Sequence, residues 1–193
     1  MREAELRRET KETVIDCRID LDGSGDAEIS TGIGFFDHML TLFAYHAGID
    51  LKLFADGDLD VDDHHTVEDC GIVLGKVIRE ALGDRKGIAR YGFFLLPMDE
   101  ALAETALDIS GRPYLVFQCD WKRDQIGMLS TEMVEEFFRA LAVHAGITLH
   151  INVRWGQNEH HKAEAIFKSF AHAFRAAIAV QGDEVLSTKG SLE

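Results

Sequence analysis

The sequence predicts an α+β fold that is internally duplicated, with two similar halves that each form a small, mostly antiparallel sheet covered on one face by two helices. Three observations predict it. The double histidine His64-His65 returns as His160-His161, at an offset of 96 residues. The segment His-Ala-Gly-Ile at 46–49 returns at 144–147, at an offset of 98. In both halves, strand-like alternation precedes each helical pattern. We expect the halves to span residues 1–85 and 86–193.

In the first half, alternating residues around a turn signal at 22–25 predict two paired strands within residues 10–31. The other expected elements are a helix from about 36 to a glycine stop at 48, strands at 49–54 and 58–61 separated by Asp56-Gly57, and a helix from the first histidine pair to Gly83.

The second half begins with a basic, glycine-bearing segment, residues 86–92, which we interpret as the connector. The elements expected after it are strands at 91–96, 101–109 and 114–119, a helix at 130–145, a strand at 147–153, a helix at 158–180 and a polar tail. Residues 20–25 also resemble residues 108–113, though more weakly. Each half leaves one sheet face uncovered, so we expect the halves to pack on each other or on other subunits.

Composition limits the possible partners. The 193 residues are 46% hydrophobic, which is enough for a real core, and the formal net charge of −14 disfavours non-specific nucleic-acid binding. An anionic substrate would therefore need a local basic pocket. We expect no membrane interaction and a cytoplasmic location, because the sequence has neither an apolar leader nor a run long enough to cross a bilayer. The three cysteines show no C-x-x-C spacing, so they predict neither a disulfide framework nor a structural zinc site.

Each histidine pair stands at the predicted start of a helix and is followed by a glutamate. Residues four apart lie on one helix face, so His64 lies over Glu68 and His160 over Glu164. Each helix can therefore offer a nitrogen and an oxygen to one metal ion. The adjacent histidine points roughly 100° away and must serve a different ion or none. We also expect the positive end of the helix dipole to disfavour imidazolium at these positions.

The repeat suggests how the ligands divide. An offset of 98 places Glu136 opposite His38, and both residue types can ligate a metal; the alternative is that both are ordinary surface residues of helices. A pseudo-two-fold relation between the halves gives two equivalent sets of nitrogen and oxygen ligands that suit manganese, iron or zinc. In these sets, the second histidine of each pair joins the ligands of the other half. This assignment is an inference from symmetry, and the sites could lie between subunits. The sets are His64, Glu68, Glu136 and His161, and His160, Glu164, His38 and His65.

Four features could bind an anion: Arg90, Arg112, Lys168 and the tail segment 187–190. Arg112 follows a predicted strand in a turn, where its guanidinium could present a fork to phosphate. Lys168 has an alternative interpretation as a salt bridge with Glu164 at i, i+4. The tail, taken alone, is a polar terminus.

Taken together, these residues resemble the imidazoleglycerol-phosphate dehydratase family over nearly the whole chain. The matching motifs are Thr10-Lys11-Glu12-Thr13, Gly34-Phe35-Phe36-Asp37-His38-Met39-Leu40, Asp62-Asp63-His64-His65-Thr66-Val67-Glu68-Asp69, Ser110-Gly111-Arg112-Pro113, His160-His161 with Glu164 and Phe167-Lys168, and Ser187-Thr188-Lys189-Gly190. The resemblance implies a lyase of histidine biosynthesis that removes water from imidazoleglycerol phosphate to give imidazoleacetol phosphate.

The resemblance also implies a 24-subunit homo-oligomer, two Mn²⁺ per active site and a set of site residues. Together with the repeat argument, it gives as metal ligands His38, His64, His65, Glu68, Glu136, His160, His161 and Glu164. Substrate contacts are implied for Glu12, His38, Arg90, Arg112, Lys168, Ser187, Thr188 and Lys189, and catalytic roles for Glu12 and Glu164. One departure is Glu136, where many members have histidine, so we expect altered metal affinity more than lost activity.

The mechanism expected from these assignments is a hypothesis. Two metals on the ring nitrogens would stabilise an imidazolate that expels hydroxide and leaves a diazafulvene, after which Glu12 would transfer the adjoining proton. Without the resemblance, the leading alternative is a dinuclear metallohydrolase acting on a phosphate ester. A metal-storage protein without enzymatic activity is the second alternative. Release of inorganic phosphate would identify the hydrolase, and metal release without turnover would identify the storage protein.

Overall fold

The computed structural model describes residues 2–190 and 192. The first half contains β1 (Glu3–Glu9), β2 (Thr13–Asp20), β3 (Ala27–Ser30), α1 (Gly34–Ala47), β4 (Asp50–Gly57) and α2 (His64–Leu82). The second contains β5 (Tyr91–Met98), β6 (Ala101–Asp108), β7 (Tyr114–Gln118), β8 (Gln125–Ile126), β9 (Leu129–Ser130), α3 (Glu132–Ala145), β10 (Thr148–Trp155) and α4 (Glu159–Ile178). The order of three strands, a helix, a strand and a helix therefore occurs twice, with a small hairpin added in the second half.

The two main sheets have the same topology. The strand order is β1-β2-β4-β3 in one sheet and β5-β6-β10-β7 in the other. In each sheet two neighbouring pairs are antiparallel and the last is parallel. The second strands, β2 and β6, also share one alternation of buried and exposed residues along their length. The predicted duplication and the mostly antiparallel sheets are confirmed.

Several strand predictions in the first half were wrong. β2 does not pair with β3; it pairs with β1 and β4, while β3 lies parallel to β4. β1 was missed because its sequence is mostly charged and only Ala4 is buried. β4 continues through Asp56 to Gly57 as one strand, and residues 58–61 form turns rather than the predicted second strand. The helix predictions are confirmed to within a few residues at each end.

The helices form the interior between the two sheets. α1 and α2 pack on the first sheet, and α3 and α4 on the second, while α2 packs against α3 and α1 against α4. Phenylalanine rings join the helices, with Phe43 and Phe170 stacked at 5.2 Å between ring centroids. Close approach of α2 to α3 requires glycine, because a Cβ on Gly71 would lie 2.7 Å from the carbonyl oxygen of Phe137. The packing of α1 on α4 and of α2 on α3 brings side chains from different helices close together.

The segment between the halves runs from the end of α2 to Tyr91, which starts β5 as predicted. Ile88 in this segment forms an antiparallel bridge with Val180, after α4. The sheet faces opposite the helices are open in this chain: Phe93, for example, is 60% exposed. Among the described residues, no helix combines the length and the hydropathy needed to span a bilayer.

Candidate metal centre

Three predicted metal ligands meet where α1 crosses the start of α4. His160 and Glu164 lie one turn apart on α4, and their atoms Nε2 and Oε1 are 2.9 Å apart. Packing of α1 on α4 brings His38 to the same carboxylate oxygen, with its Nε2 3.1 Å away. One ligand atom from each residue lies within 4.8 Å of the other two. Two imidazole nitrogens and a carboxylate oxygen therefore converge on a single position.

The second oxygen of Glu164 is also engaged. Its Oε2 accepts a hydrogen bond from the Nζ of Lys168, one turn further along α4. Burial raises the pKa of Glu164, but hydrogen bonds from Lys168, His160 and His38 together outweigh burial and lower the pKa to about 2. Glu164 is therefore a carboxylate at neutral pH. The salt bridge that was the alternative interpretation of Lys168 is present, and it occurs together with the histidine cluster.

The two double-histidine helices begin differently. Asn158 precedes α4, and its side-chain oxygen accepts hydrogen bonds from the backbone N–H groups of His160 and His161, as expected of an N-cap. Asp63 precedes α2, but its carboxylate instead accepts hydrogen bonds from the backbone and the hydroxyl of Ser130. The start of α4 is therefore fixed within its own helix, whereas the residue before α2 is bonded to the segment before α3.

The equivalent cluster on α2 is looser. His64 Nε2 and Glu68 Oε2 are 3.7 Å apart, beyond hydrogen-bond distance. Glu136, expected opposite His38, forms an ion pair with Arg139 at 3.3 Å on its own helix. Over the residues that the structure describes, this trio is not drawn into a compact group like the one around Glu164.

The second histidine of each pair stands apart from these clusters and contacts other carboxylates. His65 Nδ1 lies 3.0 Å from an oxygen of Asp58, and its Nε2 lies 3.9 Å from Glu12. His161 Nδ1 lies 2.7 Å from Glu100 Oε2, and its Nε2 lies 3.6 Å from Asp99. Among the described residues of this one chain, His65 therefore does not join His38, His160 and Glu164. Nor does His161 join His64, Glu68 and Glu136.

The pKa values of both histidines are raised, whereas the helix dipole was expected to disfavour imidazolium. Hydrogen bonding to Asp58 raises the pKa of His65, and hydrogen bonding to Glu100 raises the pKa of His161. Sequence reasoning missed both carboxylates. Glu100 could have been found, because an offset of 88, the one that relates segments 20–25 and 108–113, places it opposite Glu12. Asp58 has no such signal.

The predicted anion-binding residues form a separate cleft of about 660 Å³, lined by Arg90, Tyr91, Ser110, Arg112, Val185, Leu186, Ser187, Thr188, Lys189 and Leu192. Arg90 is held there by a two-point contact with Asp108, and it donates a further hydrogen bond to the backbone oxygen of Leu186. Arg112 is exposed. The cleft thus brings together all of the predicted anion binders except Lys168, which lies beside the histidine cluster.

Residues 31–174 match the family model described as imidazoleglycerol-phosphate dehydratase. The chain belongs to the imidazoleglycerol-phosphate dehydratase family. The dehydratase of Methanosarcina mazei is 57% identical over 192 residues, which cover 100% of both chains. That of Clostridium kluyveri is 54% identical over 194 residues, again covering 100% of both.

Solved structures of dehydratases have the same fold. The crystal structure of the Staphylococcus aureus dehydratase superposes with a TM-score of 0.85 at 42% identity, covering 93% of this chain and 99% of that one. The Pyrococcus furiosus dehydratase, solved in complex with (S)-C348, gives a TM-score of 0.83 at 38% identity, covering 97% and 100%. The resemblance read from the motifs is confirmed.

Membership of the dehydratase family makes the protein an enzyme of the hydro-lyase class, from a family of histidine biosynthesis. The family model spans both histidine pairs and the cleft arginines. Glu12 and the tail at 187–190 lie outside residues 31–174 and are covered by the alignments with whole relatives.

Proposed function

We propose that the protein dehydrates imidazoleglycerol phosphate to imidazoleacetol phosphate, with two Mn²⁺ per active site. The observation that carries the proposal is the convergence of His38, His160 and Glu164 on one position. Two imidazoles and a carboxylate form a donor set that suits Mn²⁺ and also Fe²⁺ or Zn²⁺. The family relation supplies the substrate, since its named members are imidazoleglycerol-phosphate dehydratases.

The two ligand sets are completed by a second copy of the chain. His38, His160 and Glu164 form one set with His65, and His64, Glu68 and Glu136 form the other with His161. Within the described residues of one chain, His65 and His161 face other carboxylates and lie outside the compact triad, which supports a site shared between subunits. A homo-oligomer of 24 subunits is the assembly we propose, and a cytoplasmic location stays a prediction.

Substrate binding is assigned to groups at two places. Lys168 is close enough to the triad to contact both Glu164 and a substrate bound beside it. In the cleft, the phosphate would accept hydrogen bonds from Arg112, Lys189 and the hydroxyls of Ser187 and Thr188. Arg90 contributes positive charge while Asp108 fixes its guanidinium. The local basic residues offset the overall negative charge of the chain.

Divalent cations at the proposed ligands would act as Lewis acids that stabilise negative charge on the imidazole ring of the substrate. With that charge on the ring, the hydroxyl would leave from the carbon next to the ring as hydroxide, which takes up the displaced ring N–H proton as water, and in the resulting diazafulvene the proton on the adjoining carbon would be acidic. Glu12 is the group proposed to remove that proton, giving an enol that becomes the ketone. Its carboxylate lies in the exposed turn between β1 and β2, 3.9 Å from His65 Nε2.

The test is to incubate metal-stripped protein with imidazoleglycerol phosphate, with and without Mn²⁺, and to follow the ketone and free phosphate in parallel. We expect ketone only with the metal, and no phosphate. Glu12→Gln should lower turnover by about 100-fold or more, the usual contribution of a general base, while metal content and assembly stay unchanged. Glu9→Gln is the matched control, because Glu9 is an exposed carboxylate at the end of β1, just before the turn that holds Glu12.

Other outcomes would identify the alternatives. Release of inorganic phosphate would favour the dinuclear metallohydrolase, and metal binding without turnover of the substrate would favour metal storage. Near-normal turnover by Glu12→Gln would remove Glu12 from the mechanism without affecting the assignment of the reaction.

A further inference from the structure

The second histidine of each pair makes the same contact in both halves. His65 and His161 each place Nδ1 within hydrogen-bond distance of a carboxylate oxygen, at 3.0 Å and 2.7 Å. The two carboxylates come from different positions in the repeat. Asp58 follows β4, whereas Glu100 lies in the turn between β5 and β6.

Duplication alone does not explain this agreement. Gly156 follows β10 as Asp58 follows β4, and glycine has no side chain to offer. The counterpart of Glu100 is Glu12, in the turn between β1 and β2, and Glu12 approaches the other nitrogen of His65, at 3.9 Å. Each half therefore supplies a carboxylate to Nδ1 from the position that it has available. The two halves thus reach the same Nδ1 contact through residues at different positions of the repeat.

Glu100 is held firmly enough to orient a ring. Its Oε1 accepts backbone hydrogen bonds from Gln157 at 2.9 Å and Asn158 at 2.7 Å, which leaves Oε2 for His161. These two backbone N–H donors favour the ionised form of the Glu100 carboxyl group. An ionised carboxylate only accepts hydrogen bonds, so Nδ1 of His161 must carry the proton. In the neutral ring the free lone pair is then on Nε2.

We propose that Glu100 is a positioning residue that holds His161 in the tautomer and orientation in which Nε2 binds a metal ion, and that Asp58 does the same for His65. Carboxylates that hydrogen-bond the outer nitrogen of a ligating histidine fix its orientation and increase its basicity. The inference rests on the proposed function only in taking His161 and His65 as ligands.

The test measures Mn²⁺ binding to metal-stripped protein by calorimetry at fixed pH. Glu100→Gln keeps an oxygen for the backbone of Gln157 and Asn158, so α4 should keep its start, but an amide no longer dictates which nitrogen of His161 is protonated. We expect Mn²⁺ affinity to fall about 10- to 100-fold, the range typical of such outer partners. Asp58→Asn should give a loss of similar size.

The control is Asp99→Asn, which removes one negative charge from the same turn and leaves the contact of Glu100 with Nδ1 intact. We expect its affinity to change much less than that of Glu100→Gln. Two further measurements separate positioning from general damage: thermal unfolding of the metal-free proteins should be unchanged, and the nitrogen NMR signals of His161 should show loss of the fixed tautomer in Glu100→Gln.

The outcomes separate this inference from the proposed function. If wild-type protein makes ketone and Glu100→Gln binds Mn²⁺ as tightly as wild type, the positioning role is wrong and the dehydratase assignment stands. If wild-type protein binds Mn²⁺ without making ketone, a weakened Glu100→Gln still supports positioning while the function fails. Equal losses of Mn²⁺ affinity in Asp99→Asn and Glu100→Gln would show that only the negative charge of the turn matters, and they would overturn the inference. A wild-type chain that binds no divalent metal would overturn both.

Discussion

The helices α2 and α4 carry the same double-histidine motif in equivalent halves, yet their surroundings differ. On α4, Glu164 is buried and accepts hydrogen bonds from Lys168 and two histidines. On α2, Glu68 is partly exposed, and His64 lies 3.7 Å from it. The same motif thus gives one compact cluster and one open cluster.

Two neighbouring positions account for the difference. An offset of 96 places Ile72 where α4 has Lys168, so no cation holds the carboxylate of Glu68 from that position. An offset of 98 places Glu136 where α1 has His38, and Glu136 is paired with Arg139. A duplicated motif therefore does not ensure a duplicated site, because residues outside the motif decide whether the ligands are held together before a metal binds.

The largest expected effect distinguishes the two glutamates directly. Glu164→Gln should weaken Mn²⁺ binding by more than about 100-fold, because it removes a fixed ligand and an outer partner alone is worth 10- to 100-fold. It also leaves Lys168 without its carboxylate. Glu68→Gln should cost less, since Glu68 is not held in place. Mn²⁺ titrations of the two metal-stripped variants check this order, and equal losses would mean that the difference disappears in the assembled enzyme.

Replacing Glu136 tests the cause of the open cluster. Glu136→His introduces the residue type found at His38 and removes one partner of Arg139, so we expect the weaker class of Mn²⁺ sites to bind about tenfold more tightly, or about 1.4 kcal/mol. Turnover should change less than affinity. Glu135→Gln is the matched control, because Glu135 also pairs with Arg139, at 2.6 Å, and brings no imidazole. Unchanged affinity in Glu136→His would show that Glu136 already ligates as well as histidine.

Much of this organisation was readable from the sequence. The repeated histidine motif and the His-Ala-Gly-Ile segments predicted the duplication, because helical periodicity and glycine stops are local signals. Strand pairing was not predictable in the same way. β3 pairs with β4, a partner that lies beyond α1, and the alternation of residues 10–31 carries no information about that distant neighbour.

The same distinction between local signals and contacts of distant segments applies to the candidate site. Glu164 could be placed beside His160 because residues four apart on a helix share a face. The approach of His38 to His160 and Glu164 depends on how α1 packs on α4. In the sequence, only the repeat suggested this contact. The contact of Asp58 with His65 was missed because a turn after a strand has no periodicity that predicts where its side chains point.

The smallest expected effect concerns the loops before β3 and β7. Asp50, the first residue of β4, accepts backbone hydrogen bonds from residues 24–26 through one oxygen. Its counterpart Thr148, at the start of β10, donates its hydroxyl hydrogen to the backbone oxygen of Arg112 at 2.9 Å. Only the first of these anchors can titrate, because a carboxyl group ionises and a threonine hydroxyl does not. Backbone hydrogen bonds, first among them that from Ser24, lower the pKa of Asp50.

The two anchors should therefore differ in pH dependence. A depressed carboxyl pKa adds stability above the unfolded value of about 4, and that stability is lost as the pH falls through the lower folded pKa. Asp50→Asn keeps the oxygen and loses the charge, so it should cost about 1 kcal/mol at pH 7 and progressively less in acid. Thr148→Val should cost about 1 kcal/mol at every pH. Urea unfolding of metal-free protein between pH 7 and acid pH measures both, and a cost of Asp50→Asn that stays constant with pH would show that the loop is held by geometry rather than by charge.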